Sequence, residues 1–190
     1  LYDTAVPETG LEDFQIIFLS AITLSILSDR GRERLWEALA QARAAGSRVA
    51  FDTNYRPVGW PNVAAARAAV GRTLTLTDIA LPTFEDEQAL FGDARPEDCA
   101  DRLRAAGVGE IVLKVGAAGA LVATAEGLVP VPAAPVERIV DTTAAGDSFN
   151  GAYLAARIRD ADPVVAAAEG NRLAGIVIGH GGAIMPASAR

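Results

Sequence analysis

The chain reads as an α/β protein whose mostly parallel sheet is covered by helices on both faces. Three observations predict this. Short apolar runs bounded by turn residues alternate with segments of helical periodicity, the pattern of consecutive β-α-β units. The runs are short and strongly apolar, as suits strands buried inside such a sheet. No internal repeat, low-complexity tract or linker interrupts the pattern, so residues 1–190 are expected to form a single domain.

The elements follow in order. After an irregular entry over residues 1–13, F-Q-I-I-F-L-S at 14–20 is a strand. Residues 28–45 carry helical periodicity through Leu35, Leu39 and Ala42, and Gly46 suits the C-terminal cap. R-V-A-F-D at 48–52 is a strand, and the alanine- and arginine-rich stretch 62–74, following Pro61, is a helix. Residues 78–81 form a short strand, and 84–91 and 96–106 form helices, the second with Pro96 at its first position. E-I-V-L-K-V at 110–115 is a strand, and 120–124 with 128–131 make a hairpin or meander around Glu126-Gly127. The apolar run 136–140 leads into a closing strand over 138–141, and two long helices, 145–160 and 163–179, complete the chain.

Bulk properties narrow the function. The 190 residues are 51% hydrophobic and 22% charged, an ordinary soluble globular composition that can bury a sizeable core. A net charge of −7 and a pI near 4.7 argue against nucleic acid or an anionic membrane as partner. An anionic substrate therefore needs a local basic spot, and Lys114 is the only lysine among 17 basic residues. Cys99 stands alone, which excludes a disulfide framework or cysteine metal cluster, and a helical setting makes it an inert core residue. The lone His180 excludes an ordinary histidine metal site. No apolar run reaches membrane-spanning length and no signal peptide is visible, so a cytoplasmic enzyme is expected.

In open α/β sheets, ligands bind beyond the carboxyl ends of the strands. Four polar clusters fall there: D-T-N-Y-R with Asp52, Asn54 and Arg56; P-T-F-E-D-E with Thr83, Glu85, Asp86 and Glu87; K-V-G-A-A-G with Lys114, Gly116 and Gly119; and D-T-T-A-A-G-D, ending at Asp147. The last is the most informative. Small residues at a turn into a helix let bare N–H groups approach an anion, where the helix dipole favours negative charge. Asp147 beside that cradle can accept a proton from an attacking hydroxyl. The same residues also suit a plain helix start, with an N-cap aspartate worth about 1 kcal/mol. Local pattern alone leaves the two readings even. No G-x-x-x-x-G-K-[ST] and no G-x-G-x-x-G following a strand is present, so neither a P-loop nor a dinucleotide-binding turn is supported.

D-T-T-A-A-G-D resembles the D-T-x-G-A-G-D signature of the ribokinase (PfkB) family of sugar kinases, with Ala144 in place of the first glycine. Alanine keeps its N–H, so the cradle survives with negative φ, whereas a positive φ at this position costs stability. F-D-T-N-Y-R-P-V-G-W-P at 51–61 resembles the D-x-N-x-R-x-x-x-W segment of the 2-keto-3-deoxygluconate kinases of that family, and S-A-I-T-L-S-I-L at 20–27 and G-G-A-I-M-P at 181–186 resemble the same subfamily. The resemblance implies a ribokinase-like three-layer sandwich and ATP-dependent phosphorylation of the terminal hydroxyl of a 2-keto-3-deoxy sugar acid. It makes Asp147 the base and assigns the charge of the transferring phosphoryl to the N–H groups of Ala144, Ala145 and Gly146. Arg56, whose planar guanidinium suits a carboxylate, reads the sugar acid together with Asp52 and Asn54. Trp60 packs.

The nucleotide side falls to Lys114, Gly116, Gly119, Thr143, Gly146, Asn171 and Gly182. The family's N-x-x-E motif, which orders water around Mg²⁺, aligns with T-F-E-D, so Thr83 replaces Asn and Asp86 replaces Glu. Glu87 is a near neighbour, and Asp86 and Glu87 are the candidate metal residues. ATP and Mg²⁺ are the implied cofactors, a sugar acid the implied substrate, and a homo-oligomer the expected assembly. Ribose or fructose kinases of the same family, and a catalytically silent nucleotide-binding fragment, are the alternatives. Family members are considerably longer at the N-terminus, so the chain resembles the C-terminal, nucleotide-binding portion, without the first strands and the β-lid.

Overall fold

The computed structural model describes residues 10–183. Two compact units divide between Leu113 and Lys114. The first holds four strands, β1 (Ile16–Ser20), β2 (Arg48–Asp52), β3 (Ile79–Ala80) and β4 (Glu110–Lys114, whose last residue begins the second unit). All three pairings are parallel, with Ser20 opposite Asp52, Phe51 opposite Ala80, and Ala80 opposite Ile111. Five helices connect them: α1 (Ala21–Ile26), α2 (Asp29–Ala44), α3 (Val63–Leu74), α4 (Phe84–Phe91) and α5 (Pro96–Ala105). Val49, Phe51, Ile79, Ile111 and Leu113 of the inner strands are buried with Leu24, Leu39, Leu90 and Leu103 of the helices. Burial on both faces explains why these strands read as unbroken apolar runs.

Helix starts follow the sequence closely because capping chemistry fixes them. The Ser28 hydroxyl accepts from the Gly31 amide (3.1 Å) at the head of α2, and Asn62 Oδ1 accepts from the Ala65 amide (2.9 Å) at the head of α3. Gly46, with φ 107°, ends α2 as expected. β3 is shorter than expected, but its ladder reaches the anticipated ends: the Asp78 amide donates to Val49 and the Leu81 amide to Phe51. β1 begins two residues late, because residues 11–13 close a 3-10 turn and leave Phe14 exposed.

The second unit contains an antiparallel hairpin, β5 (Ala120–Thr124) and β6 (Gly127–Val131), and the helices α6 (Ala145–Ile158) and α7 (Pro163–Ile178). Thr124 opposes Gly127, so the turn is Ala125-Glu126, one residue earlier than the sequence suggests. The aromatic rings of Phe149 and Tyr153 stack on α6, 6.1 Å between centroids. Gly170 of α7 lets the helices meet, since a Cβ there would stand 2.7 Å from the Phe149 ring. The strand expected over 138–141 does not form. The amides of Val140 and Asp141 both donate to the Ile178 carbonyl at the end of α7, and Ile139 and Val140 stay exposed, so neither pairing nor burial rewards a strand. Residues 184–186 of the G-G-A-I-M-P segment, and residues 1–9 of the entry segment, lie outside the described residues.

Candidate active site

Each unit brings two of the four polar clusters together. In the first unit, the loop after β2 meets the first turn of α4. Asp52 is buried, and its Oδ1 accepts from the Asn54 amide (3.0 Å), a turn that carries Asn54 into positive φ (32°). Arg56 spends Nη1 on its neighbour's carbonyl, Tyr55 (2.8 Å), and on Asp86 (3.1 Å to Oδ1). Its side chain remains 55% exposed, so the rest of the guanidinium fork is open to a ligand. Tyr55 and Trp60 are buried beneath this loop, and the Arg32 guanidinium lies 5.8 Å from the Trp60 ring, which makes Trp60 a packing residue.

The adjacent carboxylates Asp86 and Glu87 do not act as a pair. Asp86 faces Arg56, whereas Glu87 is fully buried on the other side of α4 with Arg102. The Arg102 Nη2 also binds Asp93 (2.5 Å), and its guanidinium lies 4.0 Å from the centroid of the Phe91 ring. Burial pushes the Glu87 carboxyl up, and the Thr53 hydroxyl and Arg102 pull against that shift. Glu87, Asp93 and Cys99 bring ligand-type atoms within 4.8 Å of one another, but the Arg102 cation already bonds both carboxylates. An arginine thus pairs with each of the two carboxylates expected to serve the metal, Arg56 with Asp86 and Arg102 with Glu87. Cys99 is buried and its thiol pushed well up by desolvation, the inert state expected for it.

In the second unit, the glycine loop after β4 meets the turn before α6. Lys114 is buried, and its Nζ donates to Asn150 Oδ1 (3.1 Å) on α6. The same ammonium lies 3.5 Å from where a Cβ on Gly146 would sit, under the first turn of that helix. Gly119 (φ 96°) packs so closely on the end of β6 that a Cβ would stand 2.3 Å from the Val131 carbonyl oxygen. Gly116 lines a cavity of about 550 Å³ together with Ala117, Val136, Thr142, Ala145 and Asn171. Its size and largely apolar lining suit a heterocyclic base. Asn171 is buried rather than on the surface, and its Nδ2 donates to the carbonyls of Val131 (2.8 Å) and Pro132 (3.0 Å). It holds the cavity wall by its amide nitrogen.

The turn before α6 is open. Ala144 has φ 62°, the left-handed conformation that an alanine enters at a cost. The Ala145 amide is committed to the Thr142 carbonyl (3.2 Å), which removes it from the expected cradle. The amides of Ala144, Gly146 and Asp147 donate to no described residue. Asp147 is exposed in the first turn of α6. Sequence reasoning left Asp141 without a role. Its Oδ1 accepts from the Thr143 amide (2.8 Å) and its Oδ2 from the Gly182 amide (2.9 Å), so it ties the turn to the residues beyond α7. The bonds to Thr143 and Gly182 hold its carboxyl below the usual range. Asn150 was also missed, although a polar residue four positions after Gly146, on a helix face otherwise buried by Phe149 and Tyr153, was the available signal. An anion at this turn meets three uncommitted amides and a nearby ammonium, with a carboxylate beside it. That is the equipment of a phosphoryl-transfer centre.

The family model for pfkB family carbohydrate kinases matches residues 2–190. The 2-dehydro-3-deoxygluconokinase of Escherichia coli strain K12 is 45% identical over 182 residues, which cover 94% of this chain and 59% of that protein. The chain thus spans about 59% of the length of that relative. Among solved structures, a putative ribokinase II from E. coli in complex with ATP and Mg²⁺ superposes with a TM-score of 0.83 at 28% identity, over 95% of this chain and 57% of that one. The aminoimidazole riboside kinase of Salmonella enterica, complexed with aminoimidazole riboside and an ATP analogue, gives 0.79 at 29% identity, over 88% and 57%. The ribokinase-like α/β fold is therefore shared with kinases of more than one substrate.

Proposed function

From a chain that belongs to the pfkB family of carbohydrate kinases, we propose an activity: ATP-dependent phosphorylation of the terminal hydroxyl of 2-keto-3-deoxygluconate. The observation that carries the chemistry is the turn before α6, where three amides without an acceptor among the described residues flank the exposed carboxylate of Asp147. Asp147 takes the proton of the attacking hydroxyl as its oxygen bonds the γ-phosphorus. The bond from that phosphorus to the bridging oxygen breaks, and ADP leaves. The amides of Ala144, Gly146 and Asp147, with Lys114 beneath, offset the charge on the transferring group. The adenine occupies the cavity beside Asn171, with Gly116 and Thr142 on its walls and the Thr143 and Gly182 backbone tied nearby through Asp141. Mg²⁺ would neutralise phosphate charge as part of the nucleotide complex, and Asp86, although paired with Arg56, is the acidic residue on the loop side that would face it.

Arg56 supports the sugar-acid reading: its fork is half used, and the exposed remainder suits a carboxylate. The Asp86 partner supports a second reading, a kinase for a neutral sugar in which Arg56 is only structural. The test is ADP release with ATP and Mg²⁺ over a panel of sugars and sugar acids, on this chain and on the full product of its reading frame. Turnover confined to 2-keto-3-deoxy acids, with Arg56→Ala losing roughly a hundredfold in kcat/KM for the acid alone, supports the first reading. Equal loss on neutral sugars favours the second. Nucleotide binding without turnover on any compound makes the chain a silent binder.

A further inference from the structure

The cavity of about 550 Å³ in the second unit is walled almost wholly by alanine, glycine, valine and isoleucine. Two lining side chains carry polar atoms: Thr142, which is exposed, and Asn171, which is only 7% exposed. A primary amide offers two donor hydrogens and one acceptor oxygen. Asn171 has spent its donors on the carbonyls of Val131 (2.8 Å) and Pro132 (3.0 Å). Its Oδ1 accepts from no described residue, and that oxygen is not sealed inside the wall.

Val131 is the last residue of β6. Turning the Asn171 amide over would set its oxygen against two carbonyl oxygens and leave both without a donor. The partners therefore fix the orientation, and the cavity meets an acceptor that cannot turn into a donor. When a ligand displaces water from such an acceptor, it loses affinity unless it brings a donor of its own. A purely apolar recess separates related ligands poorly, whereas one with a fixed polar group rejects the ligand that lacks its complement.

We propose that Asn171 Oδ1 is a base-specificity determinant: it accepts from the exocyclic amine of adenine and so selects a 6-aminopurine nucleotide over a 6-oxopurine one. This rests on the function proposed above for placing the base in this cavity. Adenine joined to ribose has a single N–H-bearing group, the N6 amine, so a lone acceptor in an apolar wall has one group to meet. Hypoxanthine and guanine carry an acceptor oxygen at that carbon, which opposes Oδ1.

Calorimetric nucleotide binding with Mg²⁺, on the full product of the reading frame and with no sugar present, tests it. ATP is compared with purine riboside 5′-triphosphate, which lacks the amine, and with ITP, which carries an oxygen in its place. Wild type should bind ATP about tenfold more tightly than the purine riboside nucleotide, and ITP no better than the latter. Asn171→Leu keeps the side-chain shape and Asn171→Ala shortens it. Both loosen the wall for every ligand alike, so the ratio between ligands isolates Oδ1. In each variant the preference for ATP should fall to about twofold or less. Equal binding of ATP and purine riboside triphosphate by wild type overturns the inference, whatever the variants do. A tenfold preference that survives in either variant overturns it as well, since the amine is then read elsewhere. Sugar phosphorylation by a wild type that binds the two nucleotides equally sinks this inference and leaves the function reading standing. A wild type that binds no nucleotide sinks both.

Discussion

The loop after β2 and the turn before α6 are both short polar segments in an α/β fold, yet they are built in opposite ways. In the first, protein partners hold the charged groups: Asp52 caps Asn54, Arg56 binds Asp86, and Glu87 lies against Arg102. In the second, three amides have no described acceptor and Asp147 is exposed. A loop that reads the shape of a substrate gains from being fixed beforehand, because ordering it at each encounter would cost affinity. A centre that stabilises developing charge must keep its donors uncommitted until the charge arrives. On the function proposed above, the difference separates recognition from chemistry, and substitutions in the two regions should fail differently.

The largest effect belongs to the open turn. Asp147→Asn keeps the shape of the helix start and removes the proton acceptor. It should lower kcat by roughly a thousandfold or more, while KM for ATP stays within about twofold. A turnover near wild type would show that Asp147 only caps α6, and the contrast between the two regions would lose its chemical half.

Next comes the closed region, where the expected loss is in folding. Arg102→Leu leaves Glu87 and Asp93 facing each other without their shared cation. Removing one partner of a buried ion pair costs about 3–5 kcal/mol, read as a drop in the urea midpoint at constant slope. The pH dependence identifies the cause. Burial holds the folded Glu87 carboxyl above its unfolded value of about 4.3, so its contribution is fully present below that pH and is lost as pH rises through the folded value. The variant should therefore recover stability from neutral pH toward pH 5 more than wild type does. A loss independent of pH would point to the missing contact with Phe91 instead.

Periodicity and capping made most of the fold legible. Ser28, Asn62 and Pro96 marked helix starts to within a residue, and R-V-A-F-D gave β2 its full length. The run at 136–140 was not legible, because its apolar residues imitate a strand while the amides of Val140 and the following Asp141 go to the end of α7. In the site, motif residues were readable and their commitments were not. Nothing in T-F-E-D-E says that Asp86 and Glu87 point to different arginines, since those arginines lie 30 residues before and 15 after. Nor does the motif show that Ala145 has already spent its amide on Thr142, which depends on the backbone angles of one turn.

The smallest effect lies at that same turn, and it tests whether openness carries a cost. Ala144 stands at φ 62° and ψ 10°, where its Cβ crowds the following carbonyl. Glycine enters this conformation freely but loses more backbone entropy on folding. The strain relieved exceeds the entropy lost, so Ala144→Gly should stabilise the protein by about 0.5–1 kcal/mol, a rise of a few degrees in melting temperature for a chain of this size. No equivalent gain is expected from glycine at Asn54, even though its φ is also positive, because asparagine tolerates the left-handed region and its amide is already bonded to Asp52. If Ala144→Gly is neutral or destabilising, the open turn is unstrained. The two regions would then differ only in how their polar groups are partnered, with no conformational energy stored before α6.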